Sequence, residues 1–411
     1  MRAGARVLTP PLPRHLFDLD PALLWVMHCA EGPVPRASVE AATGFLVKEA
    51  QPWKMAWNED FQGLPVAVRE QAAALVGAEP GDITPTPTTS SGLITVAQGF
   101  PWQMGDDVVA PLGEFPTNAW PWLALAPRGV LFREVPLWDG HLSGADAWSS
   151  EPPPAELDPE PRLLAAIGPR TRILAVSWVR FQDGLALDLA RLGADCRNRG
   201  VALVVDGIQG AGTRPLRLPA TGASAFACGG HKGLLAPQGL GFLWTDRAFR
   251  AHLAPPGGWL SVEDATDFAR PTTDFARRFV DTGTALEQGV PNLLGMAALA
   301  ASLAALNAAG VGAIAAHVSA LQDLLLAGLR ELPAWRAEAA RLAALRARNR
   351  LGSIVALHHG GRGEAFLDTL LKRGFETGIH ASIREGYLRI ALHGWHDEAD
   401  VARLVAWLAT A

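Results

Sequence analysis

Val204-Val205-Asp206-Gly207-Ile208-Gln209 and, about twenty residues on, Gly229-Gly230-His231-Lys232 decide how this chain is read. An apolar run, Val201 to Val205, reads as a buried strand that ends on Asp206. A second, Ala223 to Ala227, leads to His231-Lys232, and Gln238-Gly239-Leu240-Gly241 leads into a further strand reaching Thr245. An acid at the carboxyl end of a central strand stands where open α/β sheets bind ligands. A lysine delivered to the same crevice can condense with an aldehyde when its surroundings favour the neutral amine. Pyridoxal 5'-phosphate needs both groups. The lysine holds it as a Schiff base, and the acid keeps the ring nitrogen protonated, so that the ring draws electrons.

Before this stretch, Asp107 to Ala110, Val130 to Val135 and Arg172 to Val179 also read as strands, and Leu185 to Arg199 as an amphipathic helix. Continuous apolar strands alternating with helices predict a mainly parallel sheet covered on both faces, an α/β domain. Upstream, Ala37 to Glu49 and Pro65 to Val76 have helical spacing. Gly81 to Ser91 reads as a polar loop opening the helix that begins near Gly92. The lead to Pro13 is expected to be unstructured, and the proline-rich Glu151 to Pro161 to be a surface loop. Beyond Met296 come helices over Met296–Leu306, 313–332 and 335–347, then strand, helix, strand, helix over 354–358, 365–373, 387–392 and 397–408. The predicted division is a large domain over 22–295, a small carboxyl-terminal α+β domain over 296–411, and an arm, 1–21, packing with the small domain.

The 411 residues are 49% apolar and 19% charged, with a net charge of −5. There is no basic excess for nucleic acid and no apolar run long enough to suggest a membrane span. Cys29, Cys196 and Cys228 fit neither a disulfide framework nor a zinc spacing. The opening Met-Arg-Ala-Gly-Ala-Arg is followed by prolines instead of an apolar signal core, so a cytoplasmic protein is expected.

Asp206, Gln209, His231 and Lys232, in that spacing, resemble the class V aminotransferase group of fold-type I pyridoxal-phosphate enzymes, especially its cysteine desulfurases, selenocysteine lyases and isopenicillin N epimerases. The resemblance runs from about Leu24 to Leu408. It implies a seven-stranded, mainly parallel sheet and a homodimer acting on an amino acid. It also implies roles: Lys232 forms the Schiff base, Asp206 pairs with the pyridine nitrogen, Gln209 bonds the ring hydroxyl, and His231 contacts the phosphate or ring. Thr89 and Ser90 match the phosphate loop, and Phe115 matches the side chain stacked on the ring. Arg384 is the match for the substrate carboxylate, and Arg389 is assigned to structure; Arg180, in a stretch outside the match, is expected to be a second anion contact. No metal is expected.

Departures from the pattern bear on the reaction. Gly229 replaces a serine, Val290 replaces a threonine that relatives supply across the dimer, and Trp178 to Gln182 replaces a stretch with His and Asn. No cysteine follows Cys228, so the desulfurases' loop cysteine is missing. The implied route runs from Lys232 to an α-carbanion. It leaves open amino transfer, C–S β-elimination and epimerisation, with a degenerate cofactor-binding scaffold as the non-catalytic reading. A dinucleotide site fails because Pro215 stands where the last glycine of the motif should be, and no G-x-S-x-G or H-E-x-x-H occurs.

Overall fold

The computed structural model describes residues 8–411. Its strands, in chain order, are β1 (Leu24–Trp25), β2 (Ile83–Thr86), β3 (Asp107–Pro111), β4 (Leu131–Val135), β5 (Thr171–Ser177), β6 (Ala202–Asp206), β7 (Ala225–Gly229), β8 (Gly241–Thr245), β9 (Ile354–His358), β10 (Ile379–His380), β11 (Ser382–Arg384) and β12 (Tyr387–Ala391). Seven of them form one sheet in the order β2-β8-β7-β6-β5-β3-β4, with β8 alone running against its neighbours. Alternation along β6 explains its burial. Leu203 and Val205 join one apolar cluster, and Val204 joins another with Leu93 and Val96 of the helix Thr89–Gly99. The sheet is therefore covered on both faces, as the apolar runs predict. This is the fold-type I α/β architecture.

The Gly81–Ser91 segment departs from the loop reading, because Ile83–Thr86 is a strand. Pro85 lacks a backbone donor and speaks against a central strand, but β2 lies at the sheet edge and pairs only with β8. The helix expected from Leu185 begins at Leu189, where the Asp188 side chain accepts from the Arg191 amide. Before it, Leu185 and Ala186 bridge to Leu351 and Val179 as extended chain. The Glu151–Pro161 segment is not a free loop either. Glu160 is fully buried against Arg350 and accepts from the Asp188 amide.

In the carboxyl-terminal part, β11, β12 and β9 make an antiparallel sheet. The turn from β11 to β12 is Glu385-Gly386, both with positive φ (46° and 85°), the two-residue geometry that suits a hairpin. The chain start is tied here. The Leu12 amide donates to Gly394 O at 3.0 Å, Arg14 pairs with Asp400, and β1 runs parallel to β10. Leu12 is buried, against the expectation of an unstructured lead to Pro13; residues 1–7 of that lead lie outside the described residues. One helix, Leu293–Ala309, crosses position 295/296 and packs on Arg36–Glu49 and Gly63–Val76. The helix Val311–Arg330 is long and apolar enough to cross a membrane, yet it buries one stripe, Ile314, Leu321, Leu325 and Leu329, against neighbouring helices.

Candidate active site

The carboxyl ends of β6 and β7 open into a cavity of about 340 Å³. Asp206 closes β6 and accepts from the Ile208 amide at 3.0 Å. Gly207 follows because a Cβ there would stand 1.8 Å from the Phe226 ring. Gln209 lies in the same turn, and its amide donates to Cys29 O at 2.9 Å. Lys232 comes off β7, is 8% exposed, and its side-chain amine makes no hydrogen bond among the described residues. Its ammonium nitrogen lies 5.4 Å from the centre of the Phe115 ring. Burial lowers the Lys232 pKa, with Asp206 opposing, and burial pushes the Asp206 carboxyl up to about 6. Both shifts have the same cause: each charge lost hydration, and one partner does not replace it.

The opposite wall is the start of the helix Thr89–Gly99, where the Thr88 hydroxyl caps the Ser91 amide at 3.0 Å. Ser90 and Thr117 share a hydroxyl–hydroxyl bond of 2.8 Å, and the buried Thr89 hydroxyl has no partner among the described residues. A helix start with an unpartnered hydroxyl suits a phosphate. Gly229 leaves the room: a Cβ there would meet the Thr89 hydroxyl oxygen at 3.2 Å. His231 lines the same space, its pKa lowered by burial and by Lys232. These residues fit pyridoxal phosphate by the chemistry of the set: an amine, an acid, a ring shelf and an anion seat with an orphaned donor.

Eight of the sequence-predicted site residues thus line one cavity: Thr89, Ser90, Phe115, Asp206, Gln209, His231, Lys232 and Arg384. Arg180 does not. Its guanidinium is enclosed by Asp183 at 2.9 Å, Leu112 O at 3.0 Å and His141 at 3.1 Å, so it holds the fold and has no free face for substrate. Arg389, which the sequence assigns to structure, lines it too, and so does Cys29, which the sequence does not place there. Arg389 is buried and donates to the Ser382 hydroxyl and to Phe181 O, but no carboxylate pairs with it among the described residues. The signal was a lone charge inside the apolar strand Tyr387–Ala391. Cys29 comes from the chain's start and lies 3.9 Å from the Ser382 hydroxyl; nothing in its spacing announces it. Thr282 and Thr284 line a separate cleft with Arg69 and Glu287. Among the described residues no group of three His, Cys, Asp or Glu is placed to hold a metal.

The aminotransferase class-V family model matches residues 57–404. The chain belongs to this family. A probable cysteine desulfurase of Methanothermobacter thermautotrophicus is 31% identical over 252 residues, 61% of this chain and 57% of that protein. An isopenicillin N epimerase of Streptomyces clavuligerus is 30% identical over 239 residues, 58% of this chain and 55% of that protein. These two matches span little more than half of each relative. A cysteine desulfurase of Dickeya dadantii matches more of its length, 27% identical over 83% of this chain and 79% of that protein. Among solved structures, a variant of C-DES with glycine covalently linked to its PLP cofactor superposes with a TM-score of 0.80 at 23% identity, covering 96% of this chain and 98% of that one. The cystine C–S lyase C-DES with its product cysteine persulfide gives 0.76 at 24%, covering 93% and 96%. At such identity the likeness bears on the fold, and the class V chain has that fold throughout.

Proposed function

We propose that this class V chain binds pyridoxal phosphate at Lys232 and removes the α-proton of an amino acid, as an aminotransferase-type enzyme. The observation that carries the reading is the buried, unbonded Lys232 amine sharing one cavity with Asp206. Burial favours the neutral amine, so Nζ is a nucleophile towards an aldehyde and, once released, a base for the proton on substrate Cα. When bound, pyridoxal phosphate supplies that aldehyde and an electron-withdrawing ring. Asp206 is the acid assigned to the ring nitrogen, Gln209 the donor for the ring hydroxyl, and Phe115 the shelf. Thr89, Ser90 and His231 take the phosphate. Arg389, in place of Arg180, takes the α-carboxylate through its fork of N–H donors, with Arg384 nearby at the mouth.

A second reading, C–S β-elimination, is favoured by relatives named cysteine desulfurase and cystine C–S lyase, and by the Cys29 thiol in the cavity. The hairpin between Ser382 and Ala391 carries no cysteine, so persulfide formation on a loop there is not part of it. Borohydride reduction of the yellow holoenzyme should fix the cofactor on the Lys232 peptide, read by mass. A protein that stays colourless and takes up no pyridoxal phosphate overturns the proposal. Assays for keto acid, for pyruvate with sulfide, and for the opposite enantiomer then separate amino transfer, elimination and epimerisation.

We also infer a homodimer. Trp57 stacks on Phe61 at 4.3 Å and meets Phe268, and Phe61 meets Trp259. Phe275, seven residues beyond Phe268, is 90% exposed. So much exposed aromatic surface suits a partner of the same kind; light scattering giving the mass of one chain would rule it out. Three free, buried cysteines suit a reducing cytoplasm.

A further inference from the structure

Two guanidinium groups share one face of the hairpin at the cavity, and their pairing names a substrate class for the site proposed above, on which this inference rests. Register sets Ser382 opposite Arg389, and Arg384 opposite Tyr387. Residues two apart on a strand share a face, as do residues directly opposite, so Arg384 and Arg389 are diagonal neighbours about 7–8 Å apart in backbone position. Both line the cavity that holds Lys232. They are close enough to interact: after burial, the Arg384 charge adds to the lowering of the Arg389 pKa.

Burial still lowers the Arg389 pKa, although Cys29 and Glu385 raise it without bonding it. Among the described residues neither arginine forms an ion pair with Asp or Glu. The Arg384 guanidinium donates, among the described residues, only to Ile383 O, at 2.7 Å. Glu385, in the turn between them, instead accepts from Gln182 at 3.3 Å. Among the described residues the only acid lining the cavity is Asp206, held at the end of β6 and assigned to the ring. The cofactor's phosphate has its own seat at Thr89 and Ser90. A single α-carboxylate therefore leaves one cation unanswered.

We propose that the substrate is an amino acid with a second oxyanion on its side chain, the α-carboxylate going to Arg389 and the side-chain oxyanion to Arg384. Two like charges fixed on one face cost stability while the cavity is empty and return it when a dianion binds between them.

Calorimetric titration of the holoenzyme with non-reactive acids tests this without turnover. Glutarate and succinate should bind about tenfold tighter than butyrate, the value of one added charge-assisted contact. Arg384→Gln should erase that preference, while Arg384→Lys keeps most of it. Arg384 is exposed, so neither change endangers folding. Equal binding of glutarate and butyrate by the unaltered enzyme overturns the proposal. So does an Arg384→Gln variant that weakens both acids alike, since Arg384 would then serve the α-carboxylate. In kcat/KM, at least one of L-aspartate, L-glutamate and L-cysteate should exceed L-alanine by about tenfold, an advantage that Arg384→Gln loses; none exceeding it again overturns the proposal. A colourless protein that still prefers glutarate would sink the cofactor reading and leave this one standing.

Discussion

Arg180 and Arg389 are equally buried, each 2% exposed, in regions of opposite character. Around Arg180 the chain supplies a carboxylate, a carbonyl and a histidine, and the ring of Trp138 lies 5.7 Å from the guanidinium carbon. Asp183 holds the Arg180 pKa up against burial. Around Arg389 the chain supplies two neutral oxygens and an open cavity, and burial lowers its pKa. A buried charge that the protein pairs is part of the framework. One that it leaves unpaired beside a cavity is set for a ligand's charge, because its desolvation is offset only on binding.

The largest effect expected from this contrast is on the framework side. Arg180→Gln strands Asp183 in the interior and should cost about 3–5 kcal/mol of stability, read by denaturant unfolding. In the protein that remains folded, KM should shift less than about twofold. A KM rise as large as that of an Arg389 variant, with stability intact, would erase the distinction between the two regions.

The rule must hold for acids too, and Asp206 is a buried acid whose carboxyl accepts only from the Ile208 amide among the described residues. Its folded pKa of about 6 stands above the ordinary 3.8. The fold therefore favours the protonated acid: this contribution is full below about 4 and lost as pH rises through 6. Asp206→Asn should stabilise the cofactor-free protein on the order of 3 kcal/mol at pH 8, with the gain vanishing near pH 4. The same change should weaken cofactor uptake and cut turnover sharply. Thermal melts of the two proteins across that range check the sign; a gain that grows on acidification would contradict it.

Arg389→Gln comes next. Loss of the charge-assisted fork should raise KM about thirtyfold, near 2 kcal/mol, with unchanged or slightly higher stability. A stability loss like that of Arg180→Gln would mean an ion partner had been missed.

The two regions also differ in how far sequence alone discloses them. The cofactor end is legible because consecutive strand ends deliver Asp206, Gln209, His231 and Lys232 in one short stretch, and strand ends of α/β sheets face ligands. Arg389 is hidden because its direction depends on pairing across the Glu385-Gly386 turn, and a charge in an apolar strand also fits a structural ion pair. Cys29 is hidden because a chain start reaches the cavity only through long-range pairing of β1 with β10. Arg180 misleads in the other direction. It follows an apolar strand towards the site, but Asp183, three residues on, turns it inward. The edge strand β2 is masked by Pro85.

The smallest expected effect tests how Arg389 is aimed. The Ser382 hydroxyl accepts from both Nε and Nη2 of Arg389, at 3.1 and 2.9 Å, and the two residues face each other across the hairpin. Removing it leaves the backbone register and the Phe181 carbonyl contact in place, so Ser382→Ala should not unfold the hairpin. It frees the guanidinium to swing, a loss of about 1 kcal/mol in positioning. KM for the amino acid should therefore rise about fivefold with kcat nearly constant, since a group that binds ground and transition states alike acts on KM. Ser382→Thr, which keeps the oxygen, should restore most of the affinity. If Ser382→Ala instead lowers kcat at unchanged KM, Arg389 is not aimed by this hydroxyl, and its contact with substrate must form only as the reaction proceeds.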